Sequence, residues 1–310
     1  SIIGFAQQAR KDFKADCSLS VSNYLAYPGP LQKKLTPAPS GYEPFYLSHY
    51  GRHGSRWLIG DSDYNKPVVL LEKADSLGKL TPKGKDVLAK LRIMRDAAMG
   101  RDGELTQRGA LQHKQIAERM LKNFPQIFAG KTNVDAKSTV VIRCILSMEN
   151  ALQEMTKMNP QLNITHDASY HDMYYMNYDD TLLFKKRMPT SAMVPYTEFC
   201  KNHEHPERVM RLLFNDDDYW KNHLNANKLY EVLFKQASNV QSTELRNSMS
   251  LYDLFTDDEI YDLWLINNAW WYINYGACPL NGGNQPYSQR NLLRKIISDA
   301  DSCIALPHPG

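Results

Sequence analysis

No stretch of this 310-residue chain reaches the run of about 20 apolar residues that a membrane-spanning helix requires, so no membrane span is expected. Cysteine is sparse and scattered. The five present (Cys17, Cys144, Cys200, Cys278 and Cys303) include no Cys-x-x-Cys pair, which argues against a zinc site and leaves metal-ligand spacing without support. In an exported chain one or two disulfides could form, and the odd count would leave at least one thiol unpaired. Neither sign of charge dominates: 37 basic against 34 acidic residues give +3, too even a balance for non-specific nucleic-acid binding. Internal repeats and low-complexity tracts are missing as well. What remains is an ordinary soluble composition, 43% hydrophobic and 23% charged, in a chain long enough to split into two domains.

The stretch around which the rest is organised is Tyr46-Leu47-Ser48-His49-Tyr50-Gly51-Arg52-His53-Gly54-Ser55-Arg56. The apolar residues Phe45, Tyr46 and Leu47 read as a strand emptying into a loop at the carboxyl edge of a sheet, where open α/β folds build their sites. Arg52 and Arg56 carry planar forks of N–H donors suited to phosphate oxygens. His53 between them is a candidate nucleophile, kept neutral by its cationic neighbours. Gly54 is expected to let the backbone approach a ligand. A solvated basic turn is the plainer reading of so short a motif, and a second site is needed to displace it.

That second site lies downstream. Thr81-Pro82 caps a helix carrying Val87, Leu88, Leu91 and Met94 at helical spacing. Another helix opens near Thr106, with His113, Ile116, Ala117, Met120, Leu121 and Phe124 on one stripe, where His113 reads as a helix-face residue with a hydrogen-bond partner. Ser138-Thr139-Val140-Val141-Ile142 is a β-branched run ending at Arg143. Strand, arginine, helix would then recur, and Arg143 would join Arg52 and Arg56 as a cage for a dianion.

Elsewhere the pattern is punctuation and helix. Residues 1–9 are apolar with small residues at Gly4 and Ala6, either the tail of a secretory signal or an ordinary arm. Residues 11–43, with Pro28, Pro30, Pro37 and Pro39, read as an irregular lead-in. Residues 170–285 turn rich in Tyr, Trp and Asn, with helices expected near 206–214, 217–237 and 256–273. Thr256-Asp257-Asp258-Glu259 is a capping box for the last of these, with Ile260, Leu263 and Trp264 on its apolar face. Trp270 and Trp271 read as aromatic core. After a Gly- and Pro-rich return loop, Ser288 is expected to cap a helix that buries Leu292, Leu293, Ile296 and Ile297.

Arg52-His53-Gly54-x-Arg56, Leu105-Thr106-x-x-Gly109 and Ile142-Arg143-Cys144-x-x-Ser147 together resemble the histidine acid phosphatases. Within them the chain looks most like the multiple inositol polyphosphate phosphatase and phytase group, to which the segment Tyr170-His171-Asp172-Met173-Tyr174-Tyr175-Met176-Asn177-Tyr178 is also similar. The resemblance implies an α/β sandwich with an inserted, mostly helical domain. It sets the α/β catalytic part at 41–169 and 286–310, the helical insert at 170–285 and the lead-in at 1–40. It further implies a phosphohistidine on His53, phosphate held by Arg52, Arg56 and Arg143, no cofactor, a small phosphorylated substrate such as an inositol phosphate, and a periplasmic or secreted location.

The chain departs from that family in one place. Members carry a second His, in a His-Asp or His-Ala-Glu motif after the helical domain, beside the proton donor. Nothing beyond residue 285 matches, because His308 is followed by Pro309 and Gly310, and the chain reads as ending before that strand. The proton donor is therefore unassigned, with His166, Asp167, His171 and Asp172 as candidates that precede the insert. Three functions follow: a metal-independent phosphomonoesterase; a phosphate-ligand binding protein lacking turnover; or a mutase or bisphosphatase of the wider fold, against which the long aromatic insert argues.

Overall fold

The computed structural model describes residues 2–27, 35–176 and 180–306. Pro28, Pro30, Asn177, Tyr178 and the closing residues 307–310 with His308 lie outside them. In chain order the regular elements are α1 (Ile2–Ala15), α2 (Asp61–Ser76), α3 (Pro82–Ala98), α4 (Gln107–Asn123), β1 (Asn133–Lys137), α5 (Ile142–Met158) and β2 (Asn163–Asp167). Then come α6 (Met173–Met176), α7 (Thr181–Phe184), α8 (Thr190–Lys201), α9 (Glu207–Leu213), α10 (Asp217–His223), α11 (Ala226–Val240), α12 (Asp257–Tyr275) and α13 (Arg290–Ile304). The architecture is mixed but mostly helical, with a two-stranded parallel sheet among the described residues. The chain divides into two compact units.

The first unit takes Ser1–Ala26, Arg56–Glu104 and Met188–Asn274. Its helices start where short polar side chains satisfy orphan N–H groups: the Thr81 hydroxyl accepts from the Gly84 amide at 3.0 Å with Pro82 at the first helical position, which suits both residues. Val87, Leu88, Leu91 and Met94 of α3 are buried together with Val68 and Leu71 of α2 and Leu229, Tyr230 and Leu233 of α11. Each such aliphatic side chain contributes about 1.5–3 kcal/mol by leaving water. The capping box that opens α12 is formed in both directions: the Glu259 amide donates to the Thr256 hydroxyl at 3.2 Å, and the Thr256 amide donates to the Glu259 carboxylate at 2.8 Å. The stretch read as an irregular lead-in instead begins with α1, and its Phe13 lies edge-on to Trp264 with ring centroids 5.1 Å apart. Trp270 and Trp271 meet edge-to-face at 5.1 Å, yet Trp270 is exposed, so this pair is not core.

The second unit takes Tyr27–Ser55, Leu105–Arg187 and Tyr275–Gly310. Its core lies between α4 and α5, where Ala117, Leu121, Leu152 and Met155 are buried with Phe128, and Val134 and Ile164 of the sheet pack onto them. Strand β1 pairs in parallel with β2, Val134 opposite Ile164 and Ala136 opposite His166, and α5 is the crossover that parallel pairing demands.

Three sequence expectations change here. The β-branched run Ser138–Ile142 is not a strand: β1 ends at Lys137, and Ile142 already opens α5, so Arg143 sits in a helix's first turn. Phe45, Tyr46 and Leu47 form no strand either, although Leu47 packs on the α4–α5 core. The last helix begins at Arg290 without a side-chain cap, and its expected buried face is open, Leu293 being 59% and Ile297 51% exposed. None of the five cysteines forms a disulfide.

Candidate active site

The loop that carries Arg52 and His53 runs across the first turns of α4 and α5. Thr106 caps α4, its hydroxyl accepting from the Gly109 amide at 3.1 Å and donating to the Ser55 carbonyl, also at 3.1 Å. The Thr106 amide donates to that same carbonyl at 2.9 Å. Loop and helix approach backbone to backbone. A Cβ on Gly54 would lie 2.4 Å from the Gly109 carbonyl oxygen, and one on Gly109 would lie 2.2 Å from the Ser55 carbonyl oxygen. Both positions therefore need glycine. Gly54 was expected to make room for a ligand; the close neighbour in the structure is Gly109.

Four backbone groups between Arg52 and Ser55 are held by side chains or the helix cap. The Arg52 carbonyl accepts from the His113 ring. The Gly54 amide donates to Ser147 Oγ at 3.0 Å, and the Ser55 amide donates to Gln112 Oε1 at 2.8 Å. The Ser55 carbonyl belongs to Thr106, as above. Ser147 in turn donates to the Arg143 carbonyl at 2.7 Å, one turn back along α5. Arg143 and the loop are thus tied at the backbone through a single hydroxyl.

His53 is half-buried, and its Nδ1 lies 2.8 Å from the Gly54 carbonyl oxygen. A carbonyl only accepts, so Nδ1 is the donor in this contact. Beside it, α5 opens at Ile142 with Val141 giving no side-chain cap. The positive end of a helix and the Arg143 guanidinium therefore occur in the same turn, an arrangement that favours anions.

His113 is buried, and desolvation pushes its imidazole below the ordinary value; the hydrogen bond to the Arg52 carbonyl opposes this, and the nearby His49 adds to the lowering. It is a helix-face histidine with a partner, as read from its position. Arg56 belongs to the first unit, where it is buried, donates to the Trp57 carbonyl at 2.8 Å, and has its backbone carbonyl held by Asn239 at 3.0 Å. Of the candidate proton donors, His166 and Asp172 have side-chain partners, and Asp167 and His171 are held through their backbones. His166 Nδ1 lies 2.7 Å from Glu149, the Asp167 carbonyl accepts from the Ser138 amide at 2.9 Å, the His171 amide is capped by Ser169 at 3.0 Å, and Asp172 is hydrogen-bonded to Tyr175. Gln112 went unnoticed in the sequence, since nothing in a helical stripe marks which polar residue will hold a loop backbone.

No protein-family model matches the sequence, and no curated protein matches it either. The fold nevertheless resembles that of a known phosphatase. Three crystal structures of the Bifidobacterium longum multiple inositol polyphosphate phosphatase are similar to the chain. The apo form superposes with a TM-score of 0.63 at 15% identity, covering 92% of this chain and 71% of the other. The phosphate complex gives 0.62 at 14%, over 92% and 71%. The inositol hexasulfate complex gives 0.60 at 13%, over 87% and 72%.

Proposed function

We propose that this chain is a phosphomonoesterase of the histidine acid phosphatase type, acting without a metal on inositol polyphosphates or related small phosphate monoesters. The observation that carries the reading is the Nδ1–H of His53 on the Gly54 carbonyl at 2.8 Å, in a loop tied to the arginine-bearing turn of α5. The likeness of fold to an inositol polyphosphate phosphatase supports it, and the fuller α/β sandwich of that family is part of the proposal. Nε2 attacks phosphorus, the P–O ester bond breaks, and the departing oxygen takes a proton. Water then attacks the phosphohistidine, breaking the P–N bond and releasing phosphate. Arg52 and Arg143 would hold the equatorial oxygens, where fixed guanidiniums stabilise developing charge without reorganising. Export to the periplasm or the medium is part of the same proposal.

A second reading, phosphate-ligand binding without turnover, is favoured by the engagement of His166 with Glu149 and of Asp172 with Tyr175, which leaves the proton donor unassigned. One experiment separates them. The chain and His53→Ala are assayed for phosphate release from p-nitrophenyl phosphate and inositol hexakisphosphate, with acid-quench detection of phosphohistidine. Turnover and label lost together in His53→Ala support the enzyme. Absence of a general acid would slow the inositol substrate relative to the phenolate by about 10²–10⁴-fold. Calorimetric binding with no turnover of either substrate supports the binding protein.

A further inference from the structure

We infer that Gln112 is a positioning residue which sets the tautomer of His53, acting through the peptide that joins Gly54 to Ser55; its kinetic half rests on the function proposed above. The two ends of a trans peptide lie in one plane and point in opposite directions. Gln112 Oε1 takes the Ser55 N–H at 2.8 Å, so it fixes the direction of the Gly54 carbonyl on the other side of that plane. This carbonyl is the acceptor of His53 Nδ1–H. Gln112 is itself fixed: it is 2% exposed, and its Nε2 donates to the Tyr27 carbonyl, so both ends of the amide are engaged and its orientation is set. It lies three residues beyond Gly109 on α4, the spacing that puts both on the helix face bearing the loop.

Without Gln112, the 54–55 peptide is released at a glycine, the residue with the greatest backbone freedom. The imidazole then loses the acceptor that keeps the proton on Nδ1. In the Nε2–H form the ring has no lone pair directed at phosphorus, so attack stops although the arginines stay in place. A residue that merely packed α4 would lower stability, and its loss would leave the tautomer of the folded protein untouched.

The test is nitrogen NMR of the full chain labelled at histidine, run beside kinetics with p-nitrophenyl phosphate. The parent should show His53 protonated at Nδ1. Gln112→Met, similar in length but without the amide, should shift His53 toward Nε2–H. It should lower kcat by about 10²-fold, the scale of a misplaced reacting group, with KM and phosphate inhibition little changed. Gln112→Glu keeps the acceptor oxygen and drops the Tyr27 donor; it should restore the Nδ1–H form and most of kcat. Should Gln112→Met fail to fold, Gln112→Asn, whose amide is one methylene shorter, is judged by the same criteria. Nε2 protonation in the parent, or an unchanged tautomer in a folded Gln112→Met, overturns the inference. So does a Gln112→Glu variant as impaired as Gln112→Met, which would place the role in the Tyr27 bond. A tautomer shift in Gln112→Met, with a parent that turns over no phosphate ester, leaves the inference standing and removes the proposed function, because the NMR readout needs no catalysis.

Discussion

Gly109→Ala sets two known effects against each other. In an exposed helix interior, alanine for glycine gains about 1 kcal/mol of helix propensity. At Gly109 the new Cβ would lie 2.2 Å from the Ser55 carbonyl oxygen, 2.7 Å from Leu105 Cδ1 and 2.8 Å from the Ser55 amide nitrogen. The leucine methyl can rotate away. The Ser55 backbone cannot, because its carbonyl is held by Thr106 and its amide by Gln112. Raising 2.2 Å to the 3.0 Å that real Cβ atoms respect requires the loop to move about 0.8 Å. Overpacking of this kind costs about 1–3 kcal/mol, so the propensity gain is cancelled or exceeded and net stability should fall by about 0–2 kcal/mol. Activity should fall further, because His53 sits two residues from the displaced carbonyl, and a shift approaching 1 Å in a reacting group can cost about 10²-fold. Urea melts give the first quantity and single-turnover phosphate release the second. A variant that is more stable by about 1 kcal/mol and turns over like the parent would show that loop and helix do not meet at this distance.

Arg143→Ala should weaken inhibition by phosphate and vanadate and cost about 2–4 kcal/mol of transition-state stabilisation; Arg143→Lys should recover little, since a point charge does not replace a fork. Unchanged inhibition constants would make Arg143 a bystander. His113 predicts a pH effect on stability. Its folded pKa lies below the ordinary 6.5, so between the two values the unfolded chain binds more protons, and stability is full above 6.5 and lost as pH falls through the folded value. Gln in its place keeps an N–H for the Arg52 carbonyl but does not titrate, so His113→Gln should flatten the acid limb seen in urea melts; identical limbs would refute the assignment.

Local chemistry was legible where cause and effect lie close together in the chain. Thr81-Pro82 and the Thr256–Glu259 box cap the helices they were expected to cap, and the helix expected to open near Thr106 does so, because each cap spans three residues. Strands were not legible. Ser138–Ile142 has the better β propensity, but it finds no ladder, whereas Asn133–Lys137, with only Val134 and Ala136 apolar, pairs with a strand thirty residues on. Propensity describes fit to a half-buried pleated surface and says nothing of which segment has a partner. The α13 periodicity likewise marks an apolar face without saying what covers it.

The site divides along the same line. Arg52, His53 and Arg143 stand out by residue type, since few other combinations suit a phosphate dianion. The groups that would make them work do not stand out, because they act on backbone atoms far away in sequence: Gln112 on an amide 57 residues earlier and Ser147 on one 93 residues earlier. Gly54 shows how a correct residue can be read for the wrong reason. Its missing side chain suggested close approach of a ligand, and the group that comes close is the Gly109 carbonyl of α4, at 2.4 Å from where a Cβ would stand. The Arg-His-Gly and Leu-Thr-x-x-Gly motifs are then two halves of one contact. Either glycine alone is unremarkable in a loop or a helix turn, but together they allow a helix to serve as the floor of the loop that carries His53. It follows that changing either glycine to alanine should disturb the same contact, and that combining the two changes should cost less than the sum of their separate effects.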